Sequence, residues 1–381
     1  MTDISPWQIL FVDDDIEVCN QVKEFLESES VLDSNAYPQV EILDDFDDAL
    51  KTLEMHRFDL VILDVRIGSH DLEREEEAGS TTLEAIRQRR FVPIIFYTGL
   101  PHLVRDQETP LVRVVEKTEG LSRLLDVVKG IFISQLPTVN RALIRHLEAV
   151  QRDYMWDFVA AHWDKFGNMP DRAALAYLLA RRLALSLSGP GIQQLAQDLG
   201  DRGKAEAVEG LVHPMQLYVM PSIEASPLSG DLYQGQIGDK PGYWILLTPS
   251  CDMVMGRVKA EKVLVASCLE LKDQPEYQKW IQGKSKPTKN KLMNLLKNKR
   301  GDGYQPERYF FLPGAFIFPD LIVDFQQLHC LSYEELNNME RLSSLDNPFA
   351  EALVSRFARY FGRLGTPDLD IDAVMQNLGI E

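Results

Sequence analysis

Cysteine is scarce in this chain. Cys19, Cys251, Cys268 and Cys330 are its four cysteines, far apart and without CxxC spacing. They read as reduced, mostly buried thiols of a cytoplasmic protein, without a structural zinc site. Long apolar runs are missing too. No stretch approaches eighteen consecutive apolar residues, so no membrane span is expected. Met1 to Leu10 lacks a basic flank followed by an apolar run, so no signal peptide is expected either. Positive charge is the third shortage: 40 Lys and Arg stand against 58 Asp and Glu, a formal net charge of -18. Of these, 28 acids and 13 bases fall in residues 1–135, a balance of -15, which leaves 30 acids and 27 bases, or -3, for the rest. Such asymmetry points to separate domains. It also argues against nucleic acid on the first of them, where phosphates would be repelled.

The first third alternates apolar runs with helical spacing. Ile9–Val12 reads as a short buried strand, and Ile16, Cys19, Val22, Phe25 and Leu26 then recur with a helical period. Val40–Leu43, Leu60–Leu63, Val92–Tyr97 and Leu111–Val115 are further strands. Helices are expected over Asp44–Met55, Thr81–Arg90 and Leu121–Ile133. Strands alternating with helices imply a parallel sheet covered on both faces, with active groups at the carboxyl ends of its strands. Gly99 to Pro110 is too broken for a good helix.

From Thr138 to about Leu187 the pattern is helical, and Gly189–Gly191 breaks it. Leu217–Val219, Tyr243–Thr248, Lys262–Ala266, Tyr309–Leu312 and Leu321–Phe325 read as strands of a small β-barrel over residues 215–332. A helix around Pro348–Phe361 follows. Within the barrel, residues 272–300 carry nine bases (Lys272, Lys279, Lys284, Lys286, Lys289, Lys291, Lys297, Lys299, Arg300) against Asp273 and Glu276. This insert reads as a solvated loop. With Tyr277 and Trp280 it is also a candidate single-stranded RNA surface.

Four strand ends carry chemistry. Asp13, Asp14 and Asp15 end the first strand and Asp64 the third, neighbours in a doubly wound sheet, so their carboxylates converge. Carboxylates crowded in this way repel one another unless a cation is present. Mg²⁺ fits, since it takes one or two carboxylates, keeps waters and bridges to phosphate oxygens. Thr98 offers a hydroxyl and Lys117 an ammonium to the charge of a transferred phosphoryl group.

The segments Ile9–Asp15 (ILFVDDD), Leu60–Val65 (LVILDV), Ile94–Gly99 (IIFYTG) and Val114–Lys117 (VVEK) resemble the motifs of response-regulator receiver domains. That resemblance covers the first third of the chain. It implies a flavodoxin-like α/β fold with a parallel five-stranded sheet in the order 2-1-3-4-5. It further implies Asp64 as phosphoacceptor, with Asp14 a direct Mg²⁺ ligand and Asp13 acting mainly through water. The Arg66 backbone carbonyl would be a further ligand, and Thr98 and Lys117 would contact the phosphoryl group. The donor would be a phosphohistidine on a sensor histidine kinase. Three positions depart from the pattern: Thr118 replaces the proline after the lysine, Val114 replaces the aromatic switch residue, and a solvated acidic insertion through Asp71–Glu77 lies between Asp64 and Gly79. Phosphoryl chemistry is kept while signal transmission differs.

Gly230–Tyr233 (GDLY), Tyr243–Pro249 (YWILLTP), Leu321–Asp324 (LIVD) and Arg341–Ser344 (RLSS) weakly resemble MazF/PemK-type SH3-like barrels, which are toxin endoribonucleases. The catalytic arginine of that family would fall near Tyr243, where no arginine stands. Ser250–Asp252 reads as a buried cysteine after a strand. No compact basic helix-turn-helix is seen, so DNA is not an expected partner.

The expected organisation is therefore a receiver over residues 1–135, a helical linker region over 136–214, and an SH3-like β-barrel output with C-terminal helices over 215–381. The expected function is a phosphoacceptor with a binding or scaffolding output and no separate catalysis. It resembles regulators of two-component antiphage systems such as Detocs, one type of which absorbs stray phosphoryl groups beside a second response regulator. The alternative is an effector whose phosphorylation unleashes a ribonuclease-like or RNA-binding barrel.

Overall fold

The structure, a computed structural model, describes residues 6–29, 37–65, 83–166, 173–187, 212–299, 307–363 and 369–379. Arg66, the acidic insertion at 71–77, the 189–191 helix break and Arg300 lie outside the described residues. The chain divides into two compact units, Met1–Val208 and Glu209–Glu381.

In the first unit, β1 (Trp7–Val12), β2 (Pro38–Leu43), β3 (Leu60–Leu63), β4 (Ile94–Thr98) and β5 (Val112–Glu116) form a parallel sheet in the order β2-β1-β3-β4-β5. The strands are apolar almost throughout because both faces are covered. On one face Ile9 and Phe11 pack with Val40, Ile62, Val115 and Phe132. On the other, Leu10 and Val12 pack with Leu53, Val61 and Phe96. Helix α1 (Ile16–Ser28) begins where Asp15 accepts the Glu17 and Val18 amides, and α2 (Phe46–Met55) where Asp45 accepts the Asp48 amide. Each carboxylate satisfies amides that the first helical turn leaves without partners. Residues 83–89 are helical, and Gly120–Ile133 closes the first face with Leu124, Val128 and Phe132. Between β4 and β5 the broken stretch forms two short 3-10 turns, Pro101–Leu103 and Arg105–Gln107.

The helical stretch continues as Leu136–Asp153, a π-helical segment Tyr154–Val159, and a further helix Ala173–Ser186. His146 Nε2 lies 3.1 Å from the Ser186 carbonyl oxygen, tying the two longer helices together. Leu136–Asp153 is fastened to the base of the sheet. Arg141 Nε donates to Asp59 Oδ1 at 2.9 Å, a second guanidinium nitrogen pairs with the other Asp59 oxygen, and the guanidinium carbon stands 4.0 Å from the Trp7 ring centre.

The second unit is an antiparallel sheet of seven strands: β6 (Tyr218–Val219), β7 (Asp231–Ile237), β8 (Lys240–Leu246), β9 (Val263–Glu270), β10 (Tyr309–Leu312), β11 (Leu321–Leu331) and β12 (Glu340–Leu345). Their order is β10-β11-β9-β8-β7-β12-β6. This corrects the five-strand reading of residues 215–332 in two ways. β7 and β12 join the sheet, and β12 lies beyond residue 332. β9 and β11 are also longer than expected, and their pairing bulges between Asp324 and Leu328. The helix Phe349–Phe361 buries Ala350, Leu353 and Tyr360 against Leu232, Phe325 and Leu345. The basic insert, expected as a loop, is instead two helices, Pro275–Gly283 and Lys286–Leu296. Its underside explains the difference: Leu295 is buried with Leu271 and Ile322, and Tyr277, Leu292 and Leu296 pack around them.

Candidate functional site

The site lies at the carboxyl end of the first sheet. β1 pairs with β2 on one side and β3 on the other, so the chain reverses its strand order at β1 and leaves a crevice there. Val12 is level with Leu63, so Asp13 and Asp64 leave adjacent strands side by side. The Asp13 amide donates to the Leu43 carbonyl at 3.1 Å and the Asp64 amide to the Val12 carbonyl at 2.9 Å, which fixes both residues to the sheet. Thr98 pairs with Glu116, setting Lys117 one residue beyond the end of β5.

The structure brings Asp13, Asp14, Asp64 and Lys117 together. The carboxylate oxygens of the three aspartates fall within 4.8 Å of one another. Lys117 Nζ lies 2.7 Å from Asp13 Oδ2 and 2.8 Å from Asp64 Oδ2. The Asp13 side chain is buried, Asp64 retains 15% exposure, and Asp14 is open to solvent. Asp64 Oδ1 also accepts the Val65 amide at 2.8 Å. Thr98, fully buried, accepts the Leu100 amide on its hydroxyl oxygen at 3.1 Å, which leaves its own O–H to donate. Asp15 is the member of the acidic triplet that does not join the cluster, because its side chain caps α1. Its position just before a helix was the signal for that role.

The charges are mutually adjusted. Burial raises the Asp13 carboxyl above its ordinary range, and the bond from Lys117 pulls against that rise. Burial alone would lower Lys117, but its hydrogen bonds to Asp13 and Asp64 outweigh it and hold the ammonium above its usual value. Cys19, whose thiol donates to the Asp13 carbonyl, is pushed up to about 11, by burial first and by Asp13 and Asp15 next. It is a buried thiol without nucleophilic character.

The donor set suits a hard divalent ion. Three carboxylates converge, each offering an oxygen, and a hard divalent ion takes oxygen donors. Asp14 at the open side leaves room for the waters that Mg²⁺ retains.

In the second unit a buried network escaped the sequence reading, although all its residues except Ser222 lie in the quoted motifs. Asp231 Oδ1 accepts Ser344 Oγ at 2.6 Å, Asp231 Oδ2 pairs with Arg341 at 2.8 Å, and Ser222 Oγ lies 2.5 Å from Ser344 Oγ. The register that sets Ser344 opposite Asp231 and Arg341 opposite Tyr233 creates it. Tyr243, where the catalytic arginine of the barrel family would fall, pairs with Gln234 and Cys268. Cys251 is exposed rather than buried, which corrects the reading of Ser250–Asp252.

Residues 9–129 match the family model described as the response regulator receiver domain. No curated protein matches the chain. Among solved structures, it is similar to a two-component response regulator from Clostridium difficile (20% identity, 34% of this chain and 98% of that chain, TM-score 0.27). It is similar to a CheY-like receiver domain protein from Methanospirillum hungatei JF-1 (23% identity, 34% and 97%, TM-score 0.28). It is also similar to the response regulator TrrA from Thermotoga maritima in complex with Mg²⁺ and BeF (24% identity, 33% and 98%, TM-score 0.27).

Proposed function

Residues 9–129 being a response regulator receiver domain, we propose that the chain accepts a phosphoryl group from a sensor histidine kinase onto Asp64. The observation that carries this reading is the meeting of Asp13, Asp14, Asp64 and Lys117 at the ends of β1, β3 and β5. An Asp64 oxygen attacks the phosphorus of a phosphohistidine donor. The P–N bond breaks, and its electron pair leaves with the imidazole. Lys117 moves from its pairing with Asp64 to a phosphoryl oxygen, and the Thr98 hydroxyl donates to another. Asp13, Asp14 and Asp64 would hold Mg²⁺, and the ion would supply neutralisation of charge on the phosphoryl oxygens. Val114, partly buried against the second core face, stands where the family turns an aromatic ring, so a different element reports phosphorylation.

The output is read as a binding or scaffolding unit that does not take DNA, which the seven-stranded antiparallel sheet of residues 209–381 supports. The finer role, a phosphoryl-buffering partner of a second response regulator in antiphage defence, draws its support from the sequence resemblance. The four free cysteines support a cytoplasmic place, and no described helix is long and apolar enough to cross a membrane. The alternative, a MazF-like SH3-type barrel acting on RNA, is favoured by one observation: its motif residues Asp231, Arg341 and Ser344 meet.

Acetyl phosphate with Mg²⁺ should add one phosphoryl group by intact mass, and Asp64→Asn should abolish the adduct. An adduct retained by that variant would remove Asp64 from the role. For the alternative, cleavage of total RNA by the phosphorylated chain that disappears in Asp64→Asn would replace the scaffold reading.

A further inference from the structure

The helical hairpin between β9 and β10 has an unusual balance of charge. Residues 284–299 hold Lys284, Lys286, Lys289, Lys291, Lys297 and Lys299 and neither Asp nor Glu. All six lysines are exposed. Surface helices normally interleave signs, because opposite charges one turn apart attract and like charges repel. In Lys286–Leu296 no acid answers any lysine, within a chain whose net charge is -18. The concentration of ammonium groups therefore runs against the composition around it.

The pattern has a direction as well as a sign. Lys286, Lys289 and Lys297 share one face of the helix, and from first to last they span about 16 Å at the helical rise. Met293, 38% exposed, lies on the same face. The exposed amides of Asn290 and Asn294 flank it on one side and Lys291 lies farther round the helix, while Gln278 and Gln282 are exposed on the neighbouring helix. The adjoining sector, from Leu296 round to Leu295, is committed to the sheet through Leu295, Leu292 and Leu296. Trp280, half-buried in the neighbouring helix, adds an aromatic plane to the same hairpin.

We infer that this hairpin is a binding surface for single-stranded RNA. A row of ammonium groups follows the regular negative charge of a phosphodiester strand. Interspersed amides can hydrogen-bond base edges, which a purely acidic partner lacks, and an indole offers a stacking plane that accepts any base. The second helix is held to the sheet by Leu295, Leu292 and Leu296, with Tyr277 of the first beside them, a form that suits a draped flexible strand better than the major groove of a duplex, which takes a projecting helix. The surface shares no residue with the phosphoacceptor pocket and requires no catalysis.

The test is fluorescence anisotropy of the full chain with a labelled oligouridylate, a duplex DNA of equal charge and unlabelled competitors. The RNA should bind at low salt. Lys286→Glu/Lys289→Glu/Lys297→Glu should weaken it about tenfold or more and shrink the slope of log affinity against log salt by about 2, at roughly 0.7 per phosphate. The corresponding Lys→Gln triple variant should weaken it in the same direction, and serves in place of the glutamate variant if circular dichroism shows that variant unfolded. Any of four results would overturn the assignment: no binding at low salt, unchanged affinity in a folded triple variant, tighter binding of the duplex, or displacement by polyglutamate as readily as by RNA.

Discussion

The Lys117 ammonium lies 2.8 Å from Asp64, the carboxylate proposed to receive the phosphoryl group, and 2.7 Å from the buried Asp13. It therefore serves as an internal counter-ion before any phosphate arrives, and part of the negative pocket depends on it.

Lys117→Ala should separate metal binding from phosphoryl transfer. Without the ammonium, buried Asp13 loses its charged partner, a change that costs about 3–5 kcal/mol for a fully buried pair and less here, where Lys117 is 26% exposed. Added Mg²⁺ should recover more melting temperature in the variant than in the native chain, while labelling by acetyl phosphate falls. Thr98→Ala should likewise keep Mg²⁺ binding and lose labelling. Differential scanning fluorimetry with and without Mg²⁺, paired with intact mass, reads both. Loss of Mg²⁺ stabilisation in both variants would contradict these roles.

Arg141→Ala should weaken the first unit without touching its chemistry. The guanidinium is 17% exposed, carries two bonds to Asp59 and covers the Trp7 ring, all at the base of the sheet away from the acidic cluster. Leaving Asp59 without it should cost about 1–3 kcal/mol, seen as a lower urea midpoint. Acetyl-phosphate labelling of the folded variant should be unchanged. A native midpoint would show the clamp to be energetically empty.

Acid should act on the second unit through Asp324. Burial alone would raise this carboxyl, but hydrogen bonds from Arg308, the Gln326 amide and Gln327 outweigh it, and the net shift is downward from 3.8. A depressed folded value means that the native state holds the proton less tightly than the unfolded chain. The stabilisation is therefore complete above about pH 4 and is lost as pH falls through the lower folded value. Asp324→Asn should be less stable near neutrality and flatter in its stability between pH 4 and pH 2, measured by urea unfolding of the full chain. A native-like slope in that variant would assign the acid sensitivity to other carboxylates.

The pocket was legible in the chain because local rules and the fold agree there. Each apolar run of the first sheet stops at a residue with chemistry, and a parallel sheet gathers those ends. The Arg141–Asp59 pairing was not legible, since 82 positions separate the partners and neither belongs to a motif. β7 escaped notice because Gln234, Gly235 and Gln236 interrupt its apolar residues. β12 escaped because it buries Ser343 and Ser344, which read as polar turn residues until Asp231 is seen opposite. The basic insert concealed its helices behind lysines, although Ser285 and Thr288 form a capping box that marks where the second one starts.

The clamp at the base of the first sheet also bears on where this domain can be cut. A piece ended at residue 129, the limit of the family match, would discard Arg141. It would uncover an indole and strand an acid that the native chain keeps covered. The smallest autonomous fragment should thus run through Asp153, a turn and a long helix past the homologous boundary.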